Sequence, residues 1–364
     1  MKRRLYLHIG VHRTATTSIQ SFLRTNFLAL QTLGYFNPFA AGRSAGLFNG
    51  LFAGKTKAID IATDINKRAA SKPVPIHSLI LSDEDISMRR DIAPLQRFTD
   101  IFDVKVVLSL RRQDLWLESW HQQNVKWQWD PALAHLTFPQ FLEQRPRFHW
   151  IRYDSLIDRF GRVFGPENLI IRVFERGEMP AGPIAAFCAD IGLTSPTGLA
   201  TPAPQNASLT PICSEFLRTL PLGDIKPEHR ALIERAAFAL DRQIRARRSA
   251  DAGLLMDHDT RSGILADYAA GNETVARTHF GRDTLFHEPL PPRDAPLSDQ
   301  RLPGDSYQLV TDFVAPLLTA LIDQFALREQ ETARTLASRP PAPPPPGKAK
   351  PARGPETTAK AQGK

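Results

Sequence analysis

Two hydrophobic patterns divide the chain. Residues 4–10, SLILS (78–82), VKVVLSL (104–110) and NLIIRVF (168–174) are short, continuous apolar runs. Runs of that length without alternation predict strands covered on both faces, as in a parallel sheet. Between them the period lengthens. Ile19, Phe22, Leu23, Phe27 and Leu30 recur at helical spacing, with Thr14 or Thr16 able to cap the helix. RDIAPLQRF (90–98) predicts a short helix. DLWLESWHQQNVKW (114–127) predicts a longer one with Asp114 as N-cap, and YDSLIDRFGRVFG (153–165) an amphipathic one stopped by Gly165 and Pro166. Strands alternating with helices predict an α/β fold class, a doubly wound parallel sheet over residues 1–180.

Past residue 180 the pattern is helical throughout: PIAAFCADIGL, LTPICSEFLRTL, PEHRALIERAAFALDRQIRARR, SGILADYAAGNETVARTHF and SYQLVTDFVAPLLTALIDQFALREQ. This C-terminal helical part, 181–335, is expected to pack on the core within the same domain. Residues 338–364 hold eight prolines and almost no apolar side chains, so a disordered, basic, proline-rich tail is expected there. No internal repeat is visible.

Charge changes the picture only once it is divided. The net +8 includes +5 from residues 339–364, where six basic residues face Glu356 alone, which leaves the body at +3. General polyanion binding by the body, nucleic acid included, is not indicated. Cys188 and Cys213 stand in unrelated contexts, so neither a disulfide framework nor a zinc site is expected. The N-terminal MKRRLYLHIGV runs into His12 and Arg13 without a small-residue cleavage site and reads as a buried strand rather than a leader. No window approaches the roughly 20 apolar residues of a membrane span, so no transmembrane segment is expected. A reducing, cytoplasmic setting is the default.

The candidate chemistry lies at HIGVHRTATTS (8–18), where the first apolar run gives way to hydroxyl and basic residues. Laid over the phosphate-loop pattern Gly-x-x-x-x-Gly-Lys-[Ser/Thr], Gly10 takes the first glycine, Ala15 the second, Thr16 the lysine and Thr17 the Ser/Thr. The shape is that of a phosphate cradle at a helix N-terminus, without the lysine an NTPase needs for its γ-phosphate. A sulfonate carries one negative charge where a terminal phosphate carries about two, and its transfer needs no metal.

The stretch HIGVHRTATTSIQ resembles the 5′-phosphosulfate loop of the bacterial-type sulfotransferase family, which reads roughly H-I-G-x-x-K-T-G-T-T-S-I-Q. LSLRRQDLWLESWHQQNVK is similar to that superfamily's 3′-phosphate motif, a strand ending in Arg with Ser eight positions on; Arg111 and Ser119 have that spacing. LILSDEDIS (79–87), LIIRVFERGEM (169–179), QNASLTPICSEFLRTL (205–220) and YAAGNETVARTHFGRDTLF (268–286) extend the resemblance over most of the chain to about residue 290. It implies a sulfotransferase variant of the P-loop NTPase-like fold. The implied donor is 3′-phosphoadenosine-5′-phosphosulfate, and the acceptor a hydroxyl or amine on a carbohydrate, lipid or small molecule. Arg13, Thr14, Ala15, Thr16, Thr17 and Ser18 would then form the donor loop, with Arg13 also at the leaving oxygen, and Arg111 with Ser119 would take the 3′-phosphate.

Two departures stand out: the family's lysine is Arg13 and its glycine is Ala15. They leave open a non-catalytic relative that keeps the nucleotide pocket. A kinase-like use of ATP is the third reading, poorly served by Thr16 in the lysine position. Glu84, just past SLILS, is the candidate general base, or else part of an acidic cap (Asp83, Glu84, Asp85) on the next helix. His12 and His8 are weaker candidates for that role. Arg112 reads as a surface charge or a second anion contact, Trp116, Trp120 and Trp127 as core packing or a stacking surface, and DRQIRARR (241–248) as a solvated or a steering face. The acceptor, the oligomeric state and the role of the tail are not readable.

Overall fold

The computed structural model describes residues 2–39, 42–193, 198–202, 208–247 and 253–337. The expected tail at 338–364, residues 205–207 and Arg248 lie outside them. Five parallel strands form one sheet in the order β2-β3-β1-β4-β5: β1 (Arg4–His8), β2 (Tyr35–Phe36), β3 (Ser78–Ser82), β4 (Asp103–Leu110) and β5 (Leu169–Val173). Pairing continues past β1, since Ile9 N–H donates to Val107 O and Val11 N–H to Ser109 O. The central strand thus runs on into the loop.

The α/β architecture is doubly wound, and side-chain alternation shows why. Leu5, Leu7, Leu79, Leu81, Val104, Val106 and Leu108 point to one face. Tyr6, Ile80 and Val107 point to the other. Helices α1 (Thr16–Thr25) and α2 (Phe27–Thr32) follow β1, and α3 (Ala45–Phe52) and α4 (Ala58–Ala70) precede β3. Helices α5 (Gln113–Trp127), α6 (Pro131–Ala134), α7 (Phe138–Glu143) and α8 (Tyr153–Phe164) lie between β4 and β5, and α9 (Gly182–Asp190) follows β5. Ile19, Phe22 and Leu23 of α1 pack beside Phe187 and Cys188 of α9 on one face. Ala62 and Ile65 of α4, Trp116 of α5 and Phe160 of α8 cover the other. Each such apolar side chain contributes about 1.5–3 kcal/mol by leaving water.

The C-terminal part is helical as expected: α10 (Pro211–Arg218), α11 (Pro227–Arg247), α12 (His258–Ala266), α13 (Ala269–Val275), α14 (Ser306–Leu309) and α15 (Ala315–Ala337), the last two joined by a π turn over Val310–Val314. Cys213 and Phe216 of α10, Leu240 of α11 and Phe313 build a separate cluster that takes in Val125 of α5. Cys188 and Cys213 are free and buried.

Three expectations are corrected. Neither Thr14 nor Thr16 caps α1. Its N-cap is Ala15, in the left-handed region at φ 60°, and no side chain makes the capping bond. Asp114 is not the cap of α5 either; Arg112 holds that position and Asp114 turns to Arg112 and Arg261. The third concerns membranes. The helical stretch Ser306–Thr335 is long and apolar enough to cross one by length and composition, with an 18-residue window of mean hydropathy 1.4 of which 11% is buried. Thr311, Asp312, Thr319 and Asp323 interrupt that stretch and dilute its apolar pattern.

Candidate functional site

A doubly wound sheet presents ligands with the loops beyond the carboxyl ends of its central strands. Here those are residues 9–15 after β1, Asp83–Asp85 after β3 and Arg111–Arg112 after β4, on three adjacent strands. Gly10 makes their close approach possible. It sits at φ +91°, and a Cβ on it would stand 2.9 Å from the Cβ of Glu84. Arg13 (φ 68°) and Ala15 (φ 60°) also take positive φ, unusual for residues with a Cβ. Thr14 Oγ1 ties the turn together by donating to Val11 O at 2.6 Å. Alternating left-handed residues at a helix N-terminus gather backbone N–H groups into an anion-binding concavity. The Thr16 and Thr17 hydroxyls, and Ser18 behind them, have no protein hydrogen-bond partner among the described residues.

Helix α5 holds this loop from the side. Trp116 Nε1 donates to His12 O at 2.8 Å. Arg13 Nε donates to Ser119 Oγ at 2.6 Å, and its Nη1 donates to Gln123 Oε1. Arg111 Nη1 donates to the carbonyl of Arg13 at 2.9 Å, while the Tyr153 hydroxyl donates to Arg111 O at 2.5 Å. The sequence-predicted Arg13, Arg111 and Ser119 therefore come together, although about a hundred residues separate Arg13 from the other two. Burial, and then the neighbouring Arg111 charge, lower Arg13 to about 10; burial likewise lowers Arg111. Both stay cationic at neutral pH. Among the described residues neither has a carboxylate within ion-pair distance: their hydrogen-bond partners are a hydroxyl, an amide and a backbone carbonyl.

Glu84 is buried on the other side of the loop. Its Oε2 accepts from Gln20 Nε2 at 2.5 Å and stands 3.6 Å from Arg43 Nε. It opens a 3₁₀ turn, Glu84–Met88, whose cap is Asp83. Arg43 also lies 2.8 Å from Asp83 and 2.7 Å from Asp85. Burial raises Asp83 to about 6 against the pull of Arg43. Burial also works to raise Asp85, but His12 and Arg43 together hold it below its ordinary range. His12 Nε2 is 3.0 Å from Asp85 Oδ1. Gln20 closes the loop motif HIGVHRTATTSIQ, which assigns it no role, and Arg43 carries no motif, so only the acidic triplet signals that a cation must be near.

His12, Arg43 and Asp85 form one end of a cleft of about 570 Å³ that continues past Trp120, Trp150 and Arg147. That size suits a drug-sized ligand. A smaller cavity of about 100 Å³ is lined by Arg13 with Thr17, Gln123, Lys126 and Trp127. The tryptophans split accordingly. Trp116 is fully buried and stacks on Trp120 at 5.3 Å, whereas Trp120 and Trp127 each line an opening.

Other candidates are structural. His8 is buried, its Nδ1 2.8 Å from Ser82 Oγ, and burial lowers it to about 4 against the pull of Glu84. Arg112 is no surface charge: it is buried, 2.7 Å from Asp114. Asn272 exchanges hydrogen bonds with the Gln113 amide. Among the described residues no three His, Cys, Asp or Glu side chains gather as a metal site.

No family model matches the chain. A curated protein of Archaeoglobus fulgidus, described as uncharacterized, is 24% identical over 198 residues, 54% of this chain. The match spans about half the length of that relative, 51%. Among solved structures, a sulfotransferase from Alicyclobacillus acidocaldarius aligns over 66% of this chain and 93% of its own at 17% identity and a TM-score of 0.36. The sulfotransferase domain of the Synechococcus PCC 7002 olefin synthase aligns over 57% of this chain and 80% of its own at 15% identity and a TM-score of 0.35.

Proposed function

We propose that the protein is a sulfotransferase that moves a sulfonate group from 3′-phosphoadenosine-5′-phosphosulfate to a hydroxyl or amine of a carbohydrate, lipid or small-molecule acceptor. One observation carries the reading. Two part-buried guanidinium groups, Arg13 and Arg111, meet at a left-handed loop and a helix N-terminus with no carboxylate in ion-pair contact, and only the more distant Glu118, Asp114 and Glu288 act on Arg111. Buried charges require a counter-charge, and a donor with anionic groups at both ends supplies it. Thr16 in place of lysine favours a sulfonate over a γ-phosphate.

In this reading the 13–17 backbone with Thr16 and Thr17 holds the 5′-phosphosulfate, and Arg111 with Ser119 holds the 3′-phosphate. Arg13 then exchanges Ser119 and Gln123 for the leaving oxygen, where charge develops. The acceptor enters by the 570 Å³ cleft. Its oxygen or nitrogen forms a bond to sulfur as the bond from sulfur to the bridging oxygen breaks. The acceptor proton passes to Glu84, and adenosine 3′,5′-bisphosphate departs. His12 is the rival base because it lines the cleft beside Asp85.

Isothermal titration with adenosine 3′,5′-bisphosphate, beside ADP and ATP with Mg²⁺, tests the donor class. Metal-independent binding of the bisphosphate is expected. Binding of ATP only, and only with Mg²⁺, overturns the reading. A second reading, a binding protein without transfer, draws on the tie of Arg13 to Ser119 and Gln123. It is favoured if the parent is inert and Arg13→Lys with Ala15→Gly restores transfer.

A further inference from the structure

The cleft of about 570 Å³ beside the loop has two kinds of lining. One is aromatic. Trp120 and Trp150 meet with ring centroids 6.3 Å apart and planes at 81°, Phe148 packs on Trp150, and Trp129 leans against Trp120 with 47% of its surface exposed. The rings make corners rather than a parallel slot. The other lining is ionic. Arg43 and Asp85 stand at the loop end, and Arg147 lies 3.4 Å from Asp130, the residue after Trp129. Arg89 lines the cleft as well.

Two features select the guest. The indole N–H groups of Trp120 and Trp150 are buried in this wall and have no acceptor among the described residues. Buried donors call for acceptors, so the wall suits a guest rich in oxygen rather than a hydrocarbon chain. The second feature is the charge on Arg89. Arg43 is shared by three carboxylates and Arg147 is answered by Asp130. Arg89 has no carboxylate in ion-pair contact among the described residues: its guanidinium lies over the Phe52 ring and donates to Asn49 Oδ1 at 3.3 Å. An anionic group on the guest gives it a charge-assisted partner. A sugar ring with such a group meets both demands. Its C–H face lies on an indole, whose π-face is negative, while the hydroxyls at its edge donate and accept.

We propose that this cleft is a subsite for an anionic carbohydrate acceptor, a sugar that bears a carboxylate or sulfate group. Trp129 presents the stacking face, Trp120 and Trp150 form the inner corner, and Arg89 takes the anionic group. That the bound sugar is an acceptor rests on the sulfotransferase reading; that the cleft holds it does not.

The test is isothermal titration of the full chain with a hyaluronan tetrasaccharide, a chondroitin sulfate tetrasaccharide, cellotetraose and 2-naphthol. At least one of the two anionic saccharides should bind about tenfold or more tighter than neutral cellotetraose, the effect of one hydrogen bond to a charged group. Arg89→Gln should bring that saccharide down to the level of cellotetraose. Trp129→Ala should weaken it about threefold to tenfold, with thermal midpoint and adenosine 3′,5′-bisphosphate affinity unchanged in both variants. Binding of neither anionic saccharide, equal binding of cellotetraose, or affinity unmoved in both variants overturns the proposal. Binding of 2-naphthol in place of the saccharides assigns the wall to an aromatic guest and overturns it as well. Saccharide binding without bisphosphate binding fells the donor reading and leaves the subsite standing; bisphosphate binding alone fells the subsite.

Discussion

At the scale of single residues the site is a problem in charge balance. Arg13 and Arg111 meet on one side of the loop with no carboxylate in ion-pair contact, while Asp83, Glu84 and Asp85 share Arg43 on the other. The first side has cations that only the more distant Glu118, Asp114 and Glu288 offset, and the second holds more carboxylates than cations. A proton-accepting group and an anionic donor would suit these two halves. Arg111→Ala should therefore weaken adenosine 3′,5′-bisphosphate by about 1.5–3 kcal/mol, the range for a hydrogen bond to a charged group; unchanged affinity in titration would remove Arg111 from the donor site. Glu84→Gln and His12→Asn decide the base between them. If Glu84 takes the proton, its amide variant loses turnover by about 10²-fold or more and keeps nucleotide affinity, while His12→Asn stays active. The reverse result transfers the role to His12.

At the scale of elements, the loop before α1 is wound by two left-handed residues that carry side chains. Ala15 at φ 60° accepts a strain that glycine avoids, of about 1 kcal/mol. Ala15→Gly should raise stability by about that amount, read from the urea midpoint, and leave bisphosphate affinity equal or higher. A lower midpoint would show that the Ala15 methyl group is held by contacts stronger than the strain. The same loop marks where sequence stops informing. β1, β3, β4 and β5 are legible as unbroken apolar runs because both faces are covered. β2 is not, since Tyr35–Phe36 is too short for a period to show, and α3 and α4 pass unnoticed in the stretch between it and β3. A threonine before a helix reads as a cap, but Thr14 spends its hydroxyl on Val11 O inside the turn. Arg111 and Ser119 are readable by their spacing of eight. The contact between Ser119 and Arg13 is not, because only the β1–β4 pairing brings 106 residues of chain to a separation of 2.6 Å.

At the scale of the whole molecule, burial of titratable groups ties stability to pH. His8 under α9 and His121 among Phe138 and Phe141 are both lowered by burial to about 4, from an ordinary value of 6.5. The unfolded chain takes up protons at these positions as pH falls through 6.5, while the folded chain resists until about 4. Their contribution is therefore complete above 6.5 and lost progressively below it, of the order of 3 kcal/mol each at about 1.4 kcal/mol per pH unit. Asp83, raised by burial to about 6, acts in the opposite sense: the folded state holds a proton there that the unfolded chain has already released, so acidification from 6 toward 4 relieves its cost. His8 and His121 against Asp83 leave a net loss, to which the lowered His149 and His279 add and which the raised Glu118 opposes. Urea midpoints should fall between pH 7 and pH 5, with more protons bound by the unfolded chain over the lower part of that window. His121→Phe, whose ring suits its aromatic neighbours, should make the fall markedly shallower, while Asp83→Asn should make it steeper by removing the opposing group. Midpoints that stay level or rise on acidification would mean that His8 and His121 gain protons without unfolding, and that the core around them admits a charge these contacts give no means of stabilising.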